Sequence, residues 1–400
     1  MGKNHSVNRF GSLCRFSFIL ALVFWTSSAC ARGPIAQLLS TQKAAAVDGA
    51  VEAEMKKGKV VGMAVGIIQN GQIVYLKGYG LADREQNVPV TTETMFRWAS
   101  CTKPMAATAA MQLVERGQLD LDKNVREYVP EFPVKFQSNV PHLPVVMTAR
   151  HLLEHQSGIP HYHNGKVIST SPPWFPPSPH PFADPVVALH KFKESPLLFT
   201  PGEKYSYSSY GYLLLSAVIQ RAGKEKFAEQ IDNRIAKPLG LTTLQPDYQW
   251  VKIDRRAVGY VRRTLPFGNT LIVPSTNTDQ SWKWGAGGYI SSVTDFAGFV
   301  SGVLNTTLVS KATETEMWTL RPPRTGPTRY GLGFDVTMLN GAVEKVAHSG
   351  SQEKTKTCFV IYPGKRSAVM VMTNCEWVEP EQFTTLIDSA LSTTTSPVTN

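Results

Sequence analysis

The chain has 400 residues, 42% hydrophobic, 10% aromatic and 18% charged; this composition excludes bulk disorder and supplies core for one large domain or two. Of its five cysteines, Cys14 and Cys30 fall near the start and leave the odd set Cys101, Cys358 and Cys375, which argues against a disulfide scaffold. The net charge is +10, but Lys3, Arg9 and Arg15 sit in an acid-free leader and the rest is scattered without a dense basic run, so nucleic acid is not indicated as a partner.

Residues 1–31 read as an export signal. A basic segment precedes a predominantly apolar stretch from Phe16 to Trp25, too short to span a bilayer, and Ala29-Cys30-Ala31 fits a cleavage site that leaves Arg32 first. The competing reading is a lipoprotein anchored to the membrane through acylated Cys30. Either way the mature chain is expected outside the cytoplasm, periplasmic or secreted.

Residues 41–57 are expected to form an exposed helix, with Val47, Val51 and Met55 recurring every four positions. Val61–Ile68 and Ile73–Tyr79 are β-branched and aromatic runs joined around Asn70-Gly71, a hairpin signal. From Lys103 to about Ala236 helical patterns dominate, broken by a Pro-rich loop at 160–185. Tyr330–Met338, Cys358–Tyr362 and Ala368–Thr373 read as strands, with a turn at Pro363-Gly364-Lys365 and a last helix from about Glu379 to Leu391. Strands at both ends and helices between predict an α+β fold. An antiparallel sheet domain from 40–102 and 285–395 would be flanked by terminal helices, with a mainly helical domain inserted at 103–284.

A serine three residues before a lysine on a helix places hydroxyl and amine on one face, and a lysine made neutral by its surroundings can take the serine proton. Ser40–Lys43, Ser100–Lys103 and Ser351–Lys354 all fit this pattern. Context favours Ser100. It opens an apolar helix in which Met105, Ala109 and Leu113 form one row and Ala106, Ala110 and Val114 the next, with Pro104 in the first turn and Gly117 as the stop. The positive end of such a helix favours developing negative charge. Cys101, beside it, reads as a packed small hydrophobe.

Ser100-Cys101-Thr102-Lys103, Tyr207-Ser208-Ser209 and His348-Ser349-Gly350, in that order, resemble the three motifs of the serine β-lactamase and penicillin-binding superfamily. Arg150-His151-Leu152-Leu153 with Ser157-Gly158, Pro201-Gly202 and Gly285-Ala286-Gly287-Gly288 agree with it. The similarity is to the class C lactamase-like branch, which includes esterases, D-aminopeptidases and mitochondrial lactamase-like proteases, and it runs from about residue 45 to 376. The resemblance implies that Ser100 attacks a carbonyl while Lys103 and Tyr207 hold and shuttle its proton. It also implies that the backbone N–H groups of Ser100 and Ser351 form the oxyanion hole, and that His348 lines the opposite wall and polarises Tyr207 or the substrate. Ser209 and Gly350 would border the substrate. Where the family usually has Asn, this chain has Ser209, and where it often has Lys, this chain has His348. Both changes weaken the grip on a β-lactam, so a small-molecule ester or a peptide is the expected substrate.

Two rival readings compete with this one. His151-Leu152-Leu153-Glu154-His155 matches the inverted zinc-peptidase motif, with His161 and His163 nearby and Glu203 or Glu225 as a third ligand. A non-catalytic penicillin-binding-like or assembly role is the other. No G-x-S-x-G elbow or nucleotide loop is present, so no cofactor is expected.

Overall fold

The structure is a computed structural model and describes residue 2 and residues 39–135, 146–170 and 182–392. The leader, with Cys30, and part of the Pro-rich loop lie outside the described residues. No helix among those described is long and apolar enough to cross a membrane.

Helix α1 (Thr41–Gly58) leads into strands β1 (Gly62–Gln69), β2 (Gln72–Asp83), the short β3 (Val88–Pro89) and β4 (Phe96–Arg97). Helix α2 (Thr102–Glu115) follows, then α3 (Ala149–Leu153), α4 (Pro185–Ala188), α5 (Ser209–Gly223), α6 (Phe227–Ile231) and α7 (Lys237–Leu239). Strands β5 (Gln245–Pro246), β6 (Tyr260–Thr264), β7 (Thr270–Pro274) and β8 (Tyr289–Ser291) precede α8 (Val293–Leu304) and α9 (Lys311–Trp318). The chain ends in β9 (Asp335–Leu339), β10 (Ala342–Gln352), β11 (Thr355–Tyr362), β12 (Ser367–Thr373) and α10 (Pro380–Ser392).

Among the described residues, the large sheet has the order β3-β2-β1-β12-β11-β10-β9, its neighbouring strands antiparallel. The chain's two ends therefore meet at its centre, where β1 pairs with β12. The Asn70-Gly71 turn closes the β1–β2 hairpin with φ of 50° and 76°, the doubly positive geometry that Asn-Gly tolerates. Helices α1 and α10 cover one face, where Val47, Val51 and Ile387 join Val65, Ile67 and Val371 in one cluster. Helix α8 packs on β1, β2 and β12, and Phe296 and Phe299 beside Trp98 tie the main core to the start of α2.

Several expectations need correcting. The 41–57 helix is not simply exposed, because Ala44, Val47, Val51 and Met55 bury one side of it. The strand read from Tyr330 begins at Asp335; Tyr330 makes a single bridge to Asp335. The third motif, which falls in none of the expected strands, lies inside β10 and just ahead of β11. Strands β6 and β7 form a mostly exposed hairpin in a region expected to be helical.

Candidate active site

Ser100 sits in a 3-10 turn, Ala99–Cys101, that runs directly into α2. The approach to it is tightly held. Arg97 and Arg256 both pair with the buried Asp247, at 2.6 and 2.5 Å. Trp98 is fully buried and donates from its ring to Ser291 at 2.7 Å, and its carbonyl accepts from Thr357 at 2.8 Å. Between Trp98 and Ser100, Ala99 takes a φ of 46°, a left-handed conformation that costs a non-glycine residue roughly 1–3 kcal/mol. The packing of Trp98 holds this strain and turns Ser100, half-buried, toward solvent.

Lys103 lies beneath it with 0% exposure. Its Nζ is 3.0 Å from Ser100 Oγ, 3.1 Å from Ser209 Oγ and 2.7 Å from the Ala286 carbonyl. Burial, reinforced by the nearby Lys283 ammonium, holds its pKa well below the ordinary lysine value. The Ser100 hydroxyl also hydrogen-bonds to the Tyr207 phenol, whose ring lies 4.9 Å from Lys103 Nζ. Burial pushes that phenol far above the usual tyrosine range, so Tyr207 stays protonated.

The second motif is placed by the cap of α5. The Ser208 hydroxyl accepts from Gly211 N–H at 3.0 Å, which ends the extended segment at Tyr207 and starts the helix at Ser209. Ser209, expected to border the substrate, bonds Lys103 and is also hydrogen-bonded to Tyr162. A hydroxyl is short enough to stay under the lysine.

The third motif also differs from expectation. His348 is only 3% exposed, and both ring nitrogens are engaged. Nδ1 donates to the Ser349 carbonyl at 2.7 Å and Nε2 accepts from the Tyr330 hydroxyl at 2.8 Å. The expected contact with Tyr207 is thus replaced by Tyr330, and burial lowers the imidazole pKa to about 3. Gly350 acts by being small. A Cβ there would lie 2.5 Å from the Trp98 carbonyl, so only glycine lets β10 press against the Ser100 turn. Ser351, the next residue, is exposed, and the ladder to β9 stops at Ala347.

The zinc geometry fails. Helix α3 ends at Leu153 and His155 has a φ of 57°, so His151 and His155 do not share a helix face. His151 closes the α3 cap, with its Nδ1 accepting from Thr148 N–H at 3.2 Å. His155 accepts from Ser208 N–H at 3.1 Å and His161 from Ser209 N–H at 3.2 Å. Glu154 lies beside Arg321, Glu203 bonds Thr200 N–H, and Glu225 bonds Asn233. Among the described residues no three His, Cys, Asp or Glu side chains converge on a metal position. The other S-x-x-K pairs lack the Ser100–Lys103 arrangement: Ser40 caps α1, and Ser351 lies on β10 while Lys354 sits in the following turn at φ 72°. Cys101, Cys358 and Cys375 are buried free thiols, and burial raises Cys101 to about 12.

Four site residues had not been anticipated: Tyr330, Tyr162, the Ala286 carbonyl and Lys283. Two carried a visible signal: Lys283 as a cation between Trp282 and Trp284, and Ala286 within the Gly285-Ala286-Gly287-Gly288 landmark.

Comparison with known proteins fits this geometry. A family model described as Beta-lactamase matches residues 47–386. The human serine beta-lactamase-like protein LACTB, mitochondrial, is 30% identical over 298 residues, covering 61% of this chain and 53% of that protein. Esterase EstB of Burkholderia gladioli is 33% identical over 201 residues, 50% of each. This chain spans about half the length of these curated relatives. An octameric penicillin-binding protein homologue from Pyrococcus abyssi superposes with a TM-score of 0.67 at 27% identity, covering 87% of this chain and 77% of that one. D-amino acid amidase from Ochrobactrum anthropi SV3 shares the fold, with a TM-score of 0.70 at 22% identity over 88% of this chain and 99% of that one. With the motif residues gathered around one half-buried serine and the match running through nearly all the described chain, this protein belongs to the beta-lactamase family.

Proposed function

We propose that this chain is an exported serine hydrolase that cleaves an ester or amide bond through an acyl-enzyme on Ser100. The observation that carries the reading is the fully buried Lys103 amine 3.0 Å from Ser100 Oγ. A neutral lysine donates two hydrogen bonds and accepts one. The Ala286 carbonyl can only accept, and Ser209 Oγ takes the second N–H, which leaves the lone pair facing the Ser100 hydroxyl. Lys103 is therefore the base that takes the serine proton as Oγ attacks the carbonyl. A base so placed contributes about 10²–10⁴ in rate.

Tyr207, held protonated, donates to Ser100 Oγ and then passes a proton to the departing alkoxide or amine, regaining one from Lys103. The N–H groups of Ser100 and Ser351 stabilise the oxyanion, a contribution of about 10²–10³ per donor. Water deacylates the enzyme with Lys103 again as base. His348, neutral and tied to Tyr330, positions the β10 wall rather than titrating. The lack of a permanent cation at 348 and of an amide at 209 favours esters and peptides over β-lactams. The names of EstB and of the amidase point the same way. Residues 1–31 are proposed as the signal that takes the chain out of the cytoplasm.

The test is burst kinetics with short-chain nitrophenyl esters, dipeptide amides and penicillin, with intact-mass detection of the covalent intermediate. Turnover of an ester or amide with an acyl adduct at Ser100 supports the reading. Turnover of all three unchanged in Ser100→Ala refutes it.

A further inference from the structure

The segment that supplies the Ala286 carbonyl to Lys103 also carries a second lysine. Lys283 is only 9% exposed. Its ammonium finds Gln352 Oε1 at 3.4 Å and Glu353 at 4.0 Å, and that carboxylate is 44% exposed on the rim. The rings of Tyr162 and Trp282 lie 5.6 Å away. A cation taken this far out of water ordinarily has several short partners, because burying charge without them is costly. Among the described residues, one long hydrogen bond, one distant carboxylate and two ring faces stand in for partners to three N–H donors.

The neighbouring amide is also underused. Gln352 Nε2 is buried and has no hydrogen-bond partner among the described residues. Gln352 follows Ser351 at the end of β10, and its Oε1 is 3.4 Å from where a Gly287 Cβ would be, beside the Ala99 carbonyl. Tyr162 links the two lysines, hydrogen-bonded to the Ser209 that Lys103 holds and lying under Lys283. Two donors with spare capacity, an ammonium and an amide, therefore meet at Gln352, one residue beyond the proposed oxyanion donor Ser351.

We infer that Lys283 and Gln352 form an anion subsite that selects substrates carrying a carboxylate close to the scissile carbonyl. The inference rests on the Ser100 reading and narrows its substrate class. It also gives the chain a substrate cation from an element other than the third motif, where His348 is buried and neutral.

The experiment compares matched pairs. One pair is the para-nitrophenyl ester of a dicarboxylic acid against the same ester with its free carboxylate methylated. The other is a dipeptide ester with a free C-terminal carboxylate against its C-terminal amide. The quantity read is the ratio of kcat/KM within a pair, measured in one protein at a time, so that a general loss of folding or of base strength cancels. The wild type is expected to prefer the carboxylate member of at least one pair about 10- to 100-fold, the range of a charge-assisted hydrogen bond. Lys283→Met should bring that ratio close to one, and Lys283→Arg should keep most of it. A ratio near one in the wild type, or an undiminished ratio in Lys283→Met, overturns the subsite. A neutral fluorophosphonate separates this from the parent reading. Labelling of Ser100 without any pair preference sinks the subsite alone, whereas failure to label sinks both.

Discussion

Replacing Lys103 with methionine keeps the volume of the side chain and removes the amine, so it separates what that amine does for chemistry from what it costs the fold. Activity should fall by about 10²–10⁴, the usual worth of a positioned base. Stability should move differently. Native Lys103 gives up its proton well below the ordinary value because of burial first and the Lys283 charge second. The unfolded chain holds that proton to about pH 10.4. Between the two values unfolding takes up a proton, which favours the unfolded state at low pH. The fold is therefore stabilised as pH rises through this window, at about 1.4 kcal/mol per pH unit. The methionine variant lacks this slope. Lys283 and Lys354, each lowered to about 8, are present in both proteins and largely cancel in the difference. The variant also leaves the Ala286 carbonyl without its 2.7 Å donor, a roughly pH-independent loss of about 1–3 kcal/mol. Thermal unfolding at about pH 8.5 and about pH 9.5 should show the wild type gaining about 1.4 kcal/mol on the variant, roughly 2 °C or more in Tm. Parallel pH dependences would mean that Lys103 is charged in the fold, and the proton-transfer scheme would be wrong.

Tyr207→Phe removes the phenol from Ser100 Oγ and should slow acylation about 10²–10⁴-fold in stopped-flow ester hydrolysis. The acid limb of the remaining activity should still be set by Lys103. Tyr330→Phe leaves His348 Nε2 buried without its donor and should cost about 1–3 kcal/mol in chemical denaturation; unchanged stability would argue against the tautomer assigned here. Gly350→Ala drives a methyl group against the Trp98 carbonyl and Thr357. It should destabilise by about 1–3 kcal/mol and depress acylation through displacement of β10.

Much of this protein was legible in its sequence because the relevant signals are local. The Asn70-Gly71 turn, the apolar rows of α2 and the Gly117 stop at φ 66° each follow from a few neighbouring residues. Strand β10 was not legible in the same way. Its inward positions alternate as Val346, His348 and Gly350, so the face that should read as apolar carries an imidazole and a bare glycine. Helix α3 was overextended in the zinc reading because no residue type marks the left-handed turn at His155. The partners of the motif residues were hidden for a different reason. Tyr330 sits outside any strand ladder and Ala286 contributes a backbone carbonyl, and neither role leaves a side-chain pattern. The 3.1 Å bond of Ser209 to Lys103 was hidden because it spans 106 positions of sequence.

Incubating the intact protein with a neutral fluorophosphonate, followed by mass measurement and peptide mapping, addresses the nucleophile itself. One adduct on Ser100, absent from Ser100→Ala and formed far more slowly in Lys103→Met, is the expected result. Modification at another residue, or labelling that persists without the Ser100 hydroxyl, would contradict the catalytic assignment at its root.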